Sequence, residues 1–160
     1  MNRSIRRAPV LGFEAALEFI NRQRDAGLRI VFTNGCFDIL HPGHLEILER
    51  ASSMGDVLVV GLNSDSSVHR LKGPGRPMQP LGSRASVLSC IRFVDLVVPF
   101  EEDTPLNLVS LLLPDVLVKG GDYTTETVVG AEEVMAYGGS VEIVPLLEGF
   151  STTGILKGND

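Results

Sequence analysis

Five short apolar segments alternate with helical patterns along the chain, and this alternation restricts the fold more than any other feature. The segments are RIVFT (29–33), DVLVVGLN (56–63), VDLVVPF (94–100), DVLVK (115–119) and VEIVP (141–145). Continuous apolar strands of this kind are typical of parallel sheets whose two faces are both covered. The pattern predicts a Rossmann-like α/β fold, a doubly wound five-stranded parallel sheet with strand order 3-2-1-4-5.

The intervals between the strands predict helices. Expected helical ranges are 13–25, 43–53, 64–70, 83–91, 104–112, a stretch that follows GGDYTT and ends near Tyr137, and a start at STTGILK (151–157). Thr104 is expected to cap the fifth helix, with Pro105 as its first residue. The Gly- and Pro-rich stretch 72–82 predicts a loop. We expect one domain over 1–160, with a helical extension at 1–28 and the core at 29–157.

Composition excludes several classes of partner. A net charge of -6 over 160 residues argues against nucleic acid and anionic membranes, which both require a clustered basic surface. No apolar run reaches about 18 residues, so we expect a soluble protein that neither spans nor binds a membrane. Cys36 and Cys90 are far apart in a sequence without a secretory leader, which favours a reduced, cytoplasmic setting.

Polar residues follow the predicted strands, where doubly wound sheets bind their ligands. These residues lie at 33–38, 63–66, 120–123 and 151–153, and the Gly/Pro loop adds to them. The stretch 31–44, VFTNGCFDILHPGH, runs from a strand into a helix start, where free N–H groups and the helix dipole favour phosphate. Pro42 suits the first turn, and His41 and His44 can both face the ligand. This stretch predicts a nucleoside triphosphate site.

The His-x-Gly-His pattern at 41–44 resembles the signature of the nucleotidyltransferase superfamily that includes cytidylyltransferases and pantetheine-phosphate adenylyltransferase. FSTT at 150–153, followed by Lys157, is similar to the second element of that signature. Three further stretches, at 62–77, 100–109 and 112–123, resemble the adenylyltransferase domain that makes ADP-heptose. The resemblance covers about residues 29–157.

The resemblance implies transfer of AMP from ATP to a heptose 1-phosphate, with direct in-line attack of the sugar phosphate on the α-phosphorus and release of pyrophosphate. A phosphate monoester is already an anionic nucleophile, so positioning and charge stabilisation suffice and no general base is needed. Mg²⁺ is expected on the ATP, with no metal site in the protein. A homodimer is also implied, and the apolar segments 94–100 and 111–113 leave room for one. Many relatives are fused to a sugar kinase, so here a separate heptose kinase is expected to supply the substrate.

The implied site residues fall into three groups. The catalytic residues are His41, His44 and Lys72. The nucleotide-binding residues are Thr33, Asn34, Gly35, Phe37, Gly43, His44, Lys119, Gly120, Asp122, Tyr123, Ser151, Thr152 and Thr153. The substrate-binding residues are Asp38, Asn63, Lys72, Arg76 and Arg84.

Plainer roles stay open for several of these residues. Lys72 and Arg76 could be solvated loop charges, Arg84 could form a surface pair, and Asp38 or Asp65 could cap a helix. Cys36 could pack or act as a nucleophile with His41 or His44. Three functions therefore remain: the adenylyltransferase, a thiol enzyme, and a module that binds ATP without chemistry. A cytidylyltransferase for glycerol 3-phosphate or a related alcohol phosphate is the alternative within the transferase class.

Overall fold

Five parallel strands form a single sheet in the order β3-β2-β1-β4-β5, which confirms the predicted fold and strand order. The strands are β1 (Ile30–Gly35), β2 (Val57–Asn63), β3 (Leu96–Phe100), β4 (Val116–Gly120) and β5 (Ser140–Val144). The structure is a computed structural model that describes residues 6–158, without the side chains of Thr152 and Thr153.

Helices connect the strands. They are α1 (Phe13–Asp25), α2 (Pro42–Ser52), α3 (Asp65–Lys72), α4 (Leu81–Ser89), α5 (Leu106–Leu112), α6 (Ala131–Ala136) and α7 (Thr152–Leu156), with a 3₁₀ turn at Thr125–Thr127. The predicted loop is shorter than expected, because α3 extends to Lys72 and α4 already begins at Leu81.

Two helix predictions are wrong in detail. Helix α5 begins at Leu106, and Pro105 occupies the capping position without a side-chain cap, so Thr104 does not cap this helix. The stretch after β4 is not one helix. Thr124 and Thr127 form a reciprocal capping box around the 3₁₀ turn, and Gly130 then adopts φ +91° before α6 starts. Side-chain bonds to the local backbone and a left-handed glycine both compete with a continuous helix.

Alternate strand residues divide the core into two layers. Ile30 and Phe32 point to the layer that contains residues of α1, α5 and α6, whereas Val31 points to the layer that contains residues of α2 and α4. The same alternation holds in β2, where all seven residues are buried. Burial of each large apolar side chain contributes about 1.5–3 kcal/mol, so the two layers together hold the sheet between its helices.

Residues before β1 also contribute to this core. Ala16 and Ile20 of α1 are fully buried in the first layer. Upstream of α1, the segment 8–11 runs along the free edge of β3: Leu11 N–H donates to the Val97 carbonyl at 3.0 Å, and Val97 N–H donates to the Pro9 carbonyl at 3.0 Å. We call this segment the edge strap. It satisfies backbone groups that an open edge strand would leave unpaired.

None of the helices within residues 6–158 is long and apolar enough to cross a membrane. The homodimer stays a prediction. The apolar segment 94–100 is largely core within one chain, whereas Leu111 is 52% exposed.

Candidate active site

A cavity of about 410 Å³ opens at the carboxyl ends of the strands, at the edge of the sheet where ligands were predicted. Most of the predicted site residues meet there. Those that line the cavity are Asn34, Gly35, Phe37, Asp38, His44, Asn63, Lys72, Arg76, Lys119 and Tyr123. Residues from β1, β2, β4 and the loop after α3 are therefore brought together, although they are far apart in sequence.

The two histidines form a stacked pair at the start of α2. Their ring centroids are 3.9 Å apart with an interplanar angle of 28°. His44 lines the cavity, and His41 is the N-cap residue of α2. Both Nδ1 atoms are buried, and neither has a hydrogen-bond partner among the described side chains and backbone. Buried imidazole nitrogens without partners are uncommon, which makes this pair at a helix start a candidate functional site.

The environment keeps both rings neutral near pH 7. Burial lowers the pKa of His41 below its ordinary value of 6.5. Burial, together with the neighbouring His41, lowers the pKa of His44 to about 4. A neutral imidazole still offers one N–H donor. The pair can therefore donate to phosphate oxygens without carrying a fixed charge, and this arrangement supports the predicted role as donors.

Two glycines allow the rings to approach the helix start. A Cβ on Gly43 would lie 3.0 Å from Nδ1 and Cε1 of His41, a tight contact that would push the ring away from its present position. A Cβ on Gly35 would lie 3.0 Å from the ring of Phe37, which in turn packs against His44 with ring centroids 5.2 Å apart. The glycines of the motif thus place the histidines through steric fit.

Three cations line the cavity near these rings. Lys72 ends α3 and has no hydrogen-bond or ion-pair partner within the described part of the chain. Lys119 lies at the end of β4, where burial lowers the pKa of its ammonium group. Its Nζ sits 5.5 Å from the ring centroid of Tyr123. Cations gathered at one end of a cavity favour an anionic ligand, even in an acidic protein.

Asp38 binds Arg76, the third cation, and the loop that carries Arg76. Its carboxylate accepts from Arg76 Nε at 2.6 Å and from the backbone N–H groups of Met78 and Gln79 at 2.8 and 3.0 Å. Burial alone would raise the pKa of Asp38, but these backbone donors and the Arg76 guanidinium outweigh it and lower the pKa. His41, not Asp38, caps α2, so the helix-cap alternative for Asp38 is wrong.

Arg84 is not brought into the cavity. It is 3% exposed, so the surface-pair alternative is wrong. Its guanidinium donates to the carbonyls of Cys36, Asn63 and Gln79 at 2.8, 2.7 and 2.9 Å, and to the Asp65 carboxylate at 2.6 Å. One side chain therefore ties the ends of β1 and β2 to the loop before α4. Ser64, which accepts from Ser67 N–H at 3.2 Å, caps α3 in place of Asp65.

The other predicted residues that the structure describes do not line the cavity. Thr33 is buried within β1, Gly120 packs against Ile47, and Asp122 is exposed in the turn after β4. The Ser151 hydroxyl accepts from Gly154 N–H at 2.9 Å near the start of α7. The roles predicted for the Thr152 and Thr153 side chains lie outside the described residues.

Cys36 lines the cavity, but its surroundings do not activate it. Burial raises the pKa of the Cys36 thiol, although nearby cations, first among them Lys72, act in the opposite direction. A thiol with a raised pKa is mostly protonated and poorly nucleophilic near neutral pH. This environment disfavours the thiol-enzyme alternative.

The sequence interpretation missed one wall of the cavity. Leu71, Asp103, Thr104, Pro105 and residues 127–129 line it. Asp103 to Pro105 follow β3, so the rule that ligands bind at strand ends could have indicated them. Helical and strand periodicity carried no signal for this wall.

A helix start with a stacked His-x-Gly-His pair, on a parallel sheet of order 3-2-1-4-5, is the arrangement expected of a nucleotidyltransferase. The comparison with known families agrees. Residues 32–155 match the family described as cytidylyltransferase-like, and the chain belongs to that family. The predictions of superfamily and of enzyme class are thereby confirmed.

Several curated relatives of the chain share one protein name. The chain is 61% identical over 140 residues to the "Bifunctional protein HldE" of Acidiphilium cryptum, covering 88% of this chain and 29% of that protein. It is 57% identical over 150 residues to the protein of the same name from Hyphomonas neptunium, covering 94% and 31%. The chain thus spans about three tenths of the length of the curated relatives it matches.

A solved structure is also similar. It is the crystal structure of the lipopolysaccharide core biosynthesis protein from Thermoplasma volcanium, with a TM-score of 0.61 and 29% identity. The alignment covers 76% of this chain and 98% of that one.

Proposed function

We propose that the protein transfers AMP from ATP to a heptose 1-phosphate, giving ADP-heptose and pyrophosphate. The stacked pair of His41 and His44 carries this proposal, because it lies at a helix start and His44 lines the cavity. Hydrogen bonds from such groups grow stronger as charge develops on the phosphate oxygens, so they lower the barrier more than they strengthen substrate binding.

The chemistry needs no group beyond donors and cations. The sugar phosphate attacks the α-phosphorus in line, a new P–O bond forms, and the bond to the β-phosphate oxygen breaks so that pyrophosphate leaves. Lys72 and Arg76 line the cavity and can neutralise the incoming phosphate or the departing pyrophosphate. His44 acts as a donor and not as a base.

The sheet topology supports the proposed position of the nucleotide. The strand order reverses direction between β1 and β4, and the crevice at such a switch point binds nucleotides in doubly wound folds. Gly120, Asp122 and Tyr123 follow β4 at this point and would border the adenosine. Ser151, Thr152 and Thr153 are proposed for the triphosphate.

Mg²⁺ is proposed to arrive on the ATP. Within residues 6–158, no three His, Cys, Asp or Glu side chains form a group that could hold a metal ion. The Asp38 carboxylate is already engaged by Arg76 and two backbone N–H groups. The triphosphate itself would therefore provide the oxygen ligands that Mg²⁺ requires.

The names of the relatives support the sugar substrate and the pathway. The HldE proteins are bifunctional, and the similar crystal structure belongs to lipopolysaccharide core biosynthesis. We propose a role of the same kind for this chain, together with the predicted heptose kinase upstream of it, a homodimeric state and a cytoplasmic location.

Pyrophosphate release with a matrix of substrates tests the proposal. ATP, CTP, GTP and UTP are each combined with heptose 1-phosphates, glycerol 3-phosphate and buffer alone. We expect release with ATP and a heptose 1-phosphate. Preference for CTP and glycerol 3-phosphate would replace the proposal with the cytidylyltransferase alternative, which the family description also allows. ATP binding without release in any combination would leave only a binding module.

A further inference from the structure

The cavity extends beyond the residues proposed to bind phosphate, toward a wall that has no role so far. Leu71 at the end of α3, Asp103 and Thr104 after β3, and Val129 before α6 line this wall. In the sheet, β3 lies two strands from β1 on the side away from β4. Asp103 and Thr104 therefore reach the cavity from the β3 side of the sheet, whereas Gly120 ends β4 and Tyr123 follows it.

The turn that carries Asp103 is held in place by α3. The hydroxyls of Ser64 and Ser66 donate to the Glu101 carboxylate at 2.9 and 2.7 Å. Arg70 donates through Nη2 to the Glu101 carbonyl and through Nε to Asp103 Oδ1, both at 2.6 Å. These contacts orient the Asp103 carboxylate without a ligand, and preorganisation of this kind favours selective binding.

The chemistry of the wall differs from that of the cationic side. Asp103 Oδ2 has no hydrogen-bond partner among the described residues, so it remains available as an acceptor. Thr104 adds an exposed hydroxyl, and Leu71 and Val129 are apolar side chains that are 48% and 40% exposed. A carboxylate repels phosphate but accepts hydroxyl groups, and apolar side chains suit the C–H surface of a sugar ring.

We propose that Asp103 and Thr104 bind hydroxyl groups of the acceptor sugar, while Leu71 and Val129 contact its C–H surface. This subsite selects the acceptor, and the inference rests on the sugar-phosphate transfer proposed above. The two parts of the substrate therefore bind to different groups. Cations bind the phosphate, and this wall binds the sugar.

Steady-state kinetics with each substrate varied in turn test the subsite. Asp103→Asn keeps the side-chain shape but replaces the carboxylate, and Thr104→Val keeps the shape but removes the hydroxyl. We expect each variant to raise the KM for heptose 1-phosphate by about tenfold or more, because an unmatched polar group in the site is costly. The KM for ATP should stay within about twofold of the wild-type value.

Glu102→Gln is the matched control. Glu102 is exposed, adjoins Asp103 in sequence and does not line the cavity, so this variant should behave as wild type. Thermal melts show whether each variant folds. If Asp103→Asn does not fold, the kinetics of Thr104→Val alone test the subsite.

The outcomes are distinct. An unchanged KM for heptose 1-phosphate in folded Thr104→Val and Asp103→Asn, with an active wild type, overturns the subsite. A raised KM for ATP alone assigns the wall to the nucleotide and overturns it as well. A wild type that releases no pyrophosphate with any sugar phosphate refutes the proposed function instead.

Discussion

His44 should make the stability of the protein depend on pH in a way that one substitution removes. Its pKa is about 4 in the folded protein and 6.5 for an ordinary imidazole, so the unfolded chain binds more protons between these values. The contribution of neutral His44 to the unfolding free energy is therefore fully present above pH 6.5 and is lost as the pH falls toward 4. His44→Gln keeps a polar side chain but cannot titrate.

The magnitude follows from the two pKa values. Between about pH 7.5 and about pH 5, wild type should lose about 2 kcal/mol of unfolding free energy through His44. Partial contact with solvent reduces this to about 1–2 kcal/mol. For a chain of this length, each kcal/mol shifts the Tm by about 2–4 °C. His44→Gln should thus gain about 2–8 °C on wild type as the pH is lowered over this range.

Thermal unfolding followed by circular dichroism at both pH values measures this difference. Carboxylates such as Asp38 also titrate, but they contribute equally to both proteins and cancel in the comparison. His69→Gln is the control, because His69 is exposed on α3 and its replacement removes an imidazole from outside the site. An equal loss of Tm in wild type and His44→Gln would refute the argument that burial keeps His44 neutral.

Four further outcomes are expected. His44→Ala should lower kcat by about 10²–10³-fold with little change in Tm, since the side chain acts mainly in the transition state; near-normal turnover contradicts the mechanism. Gly43→Ala should lower kcat by about tenfold or more, because its Cβ displaces the His41 ring; unchanged kinetics would show that the stacked geometry is unimportant. Gly120→Ala should lower the unfolding free energy measured with denaturant by about 1–3 kcal/mol, since its Cβ would lie 2.2 Å from Ile47 Cδ1. Adding Ile47→Val should recover part of this loss. Purely additive effects of the two substitutions would argue against the clash. A chelator should abolish pyrophosphate release and Mg²⁺ should restore it; metal-independent turnover removes the ion from the proposal.

Local sequence patterns were sufficient for the sheet and the helix start. The strand β2 is apolar at nearly every position, and a parallel strand buried on both faces produces that composition directly. His41 and His44 were predicted from their spacing in a strand-turn-helix context, and the structure stacks them. Such features depend on residues close together in the chain, which is why the sequence alone predicted them.

Features that depend on distant contacts were not predictable. An arginine in a helix is usually expected at the surface, yet three carbonyls and a carboxylate hold Arg84 in the interior. The sequence around Gly130 does not indicate that a helix is interrupted there. The reason is a distant contact, because a Cβ on Gly130 would lie 2.7 Å from Cγ1 of Val109. Asp103 entered the site only through the fold, because it follows a strand whose neighbours are set by the sheet order.

The edge strap has a practical meaning for how this domain is delimited. The family match begins at residue 32, inside β1, and leaves out both the strap and α1. A fragment cut at that position would lose Ile20 from the core and uncover the backbone N–H and C=O groups of β3, which are then free to pair with other chains. A fragment that keeps this core must therefore be longer than the family match. Boundaries for expression should be set before Ala8, whose N–H donates to the Ser89 carbonyl at 2.8 Å.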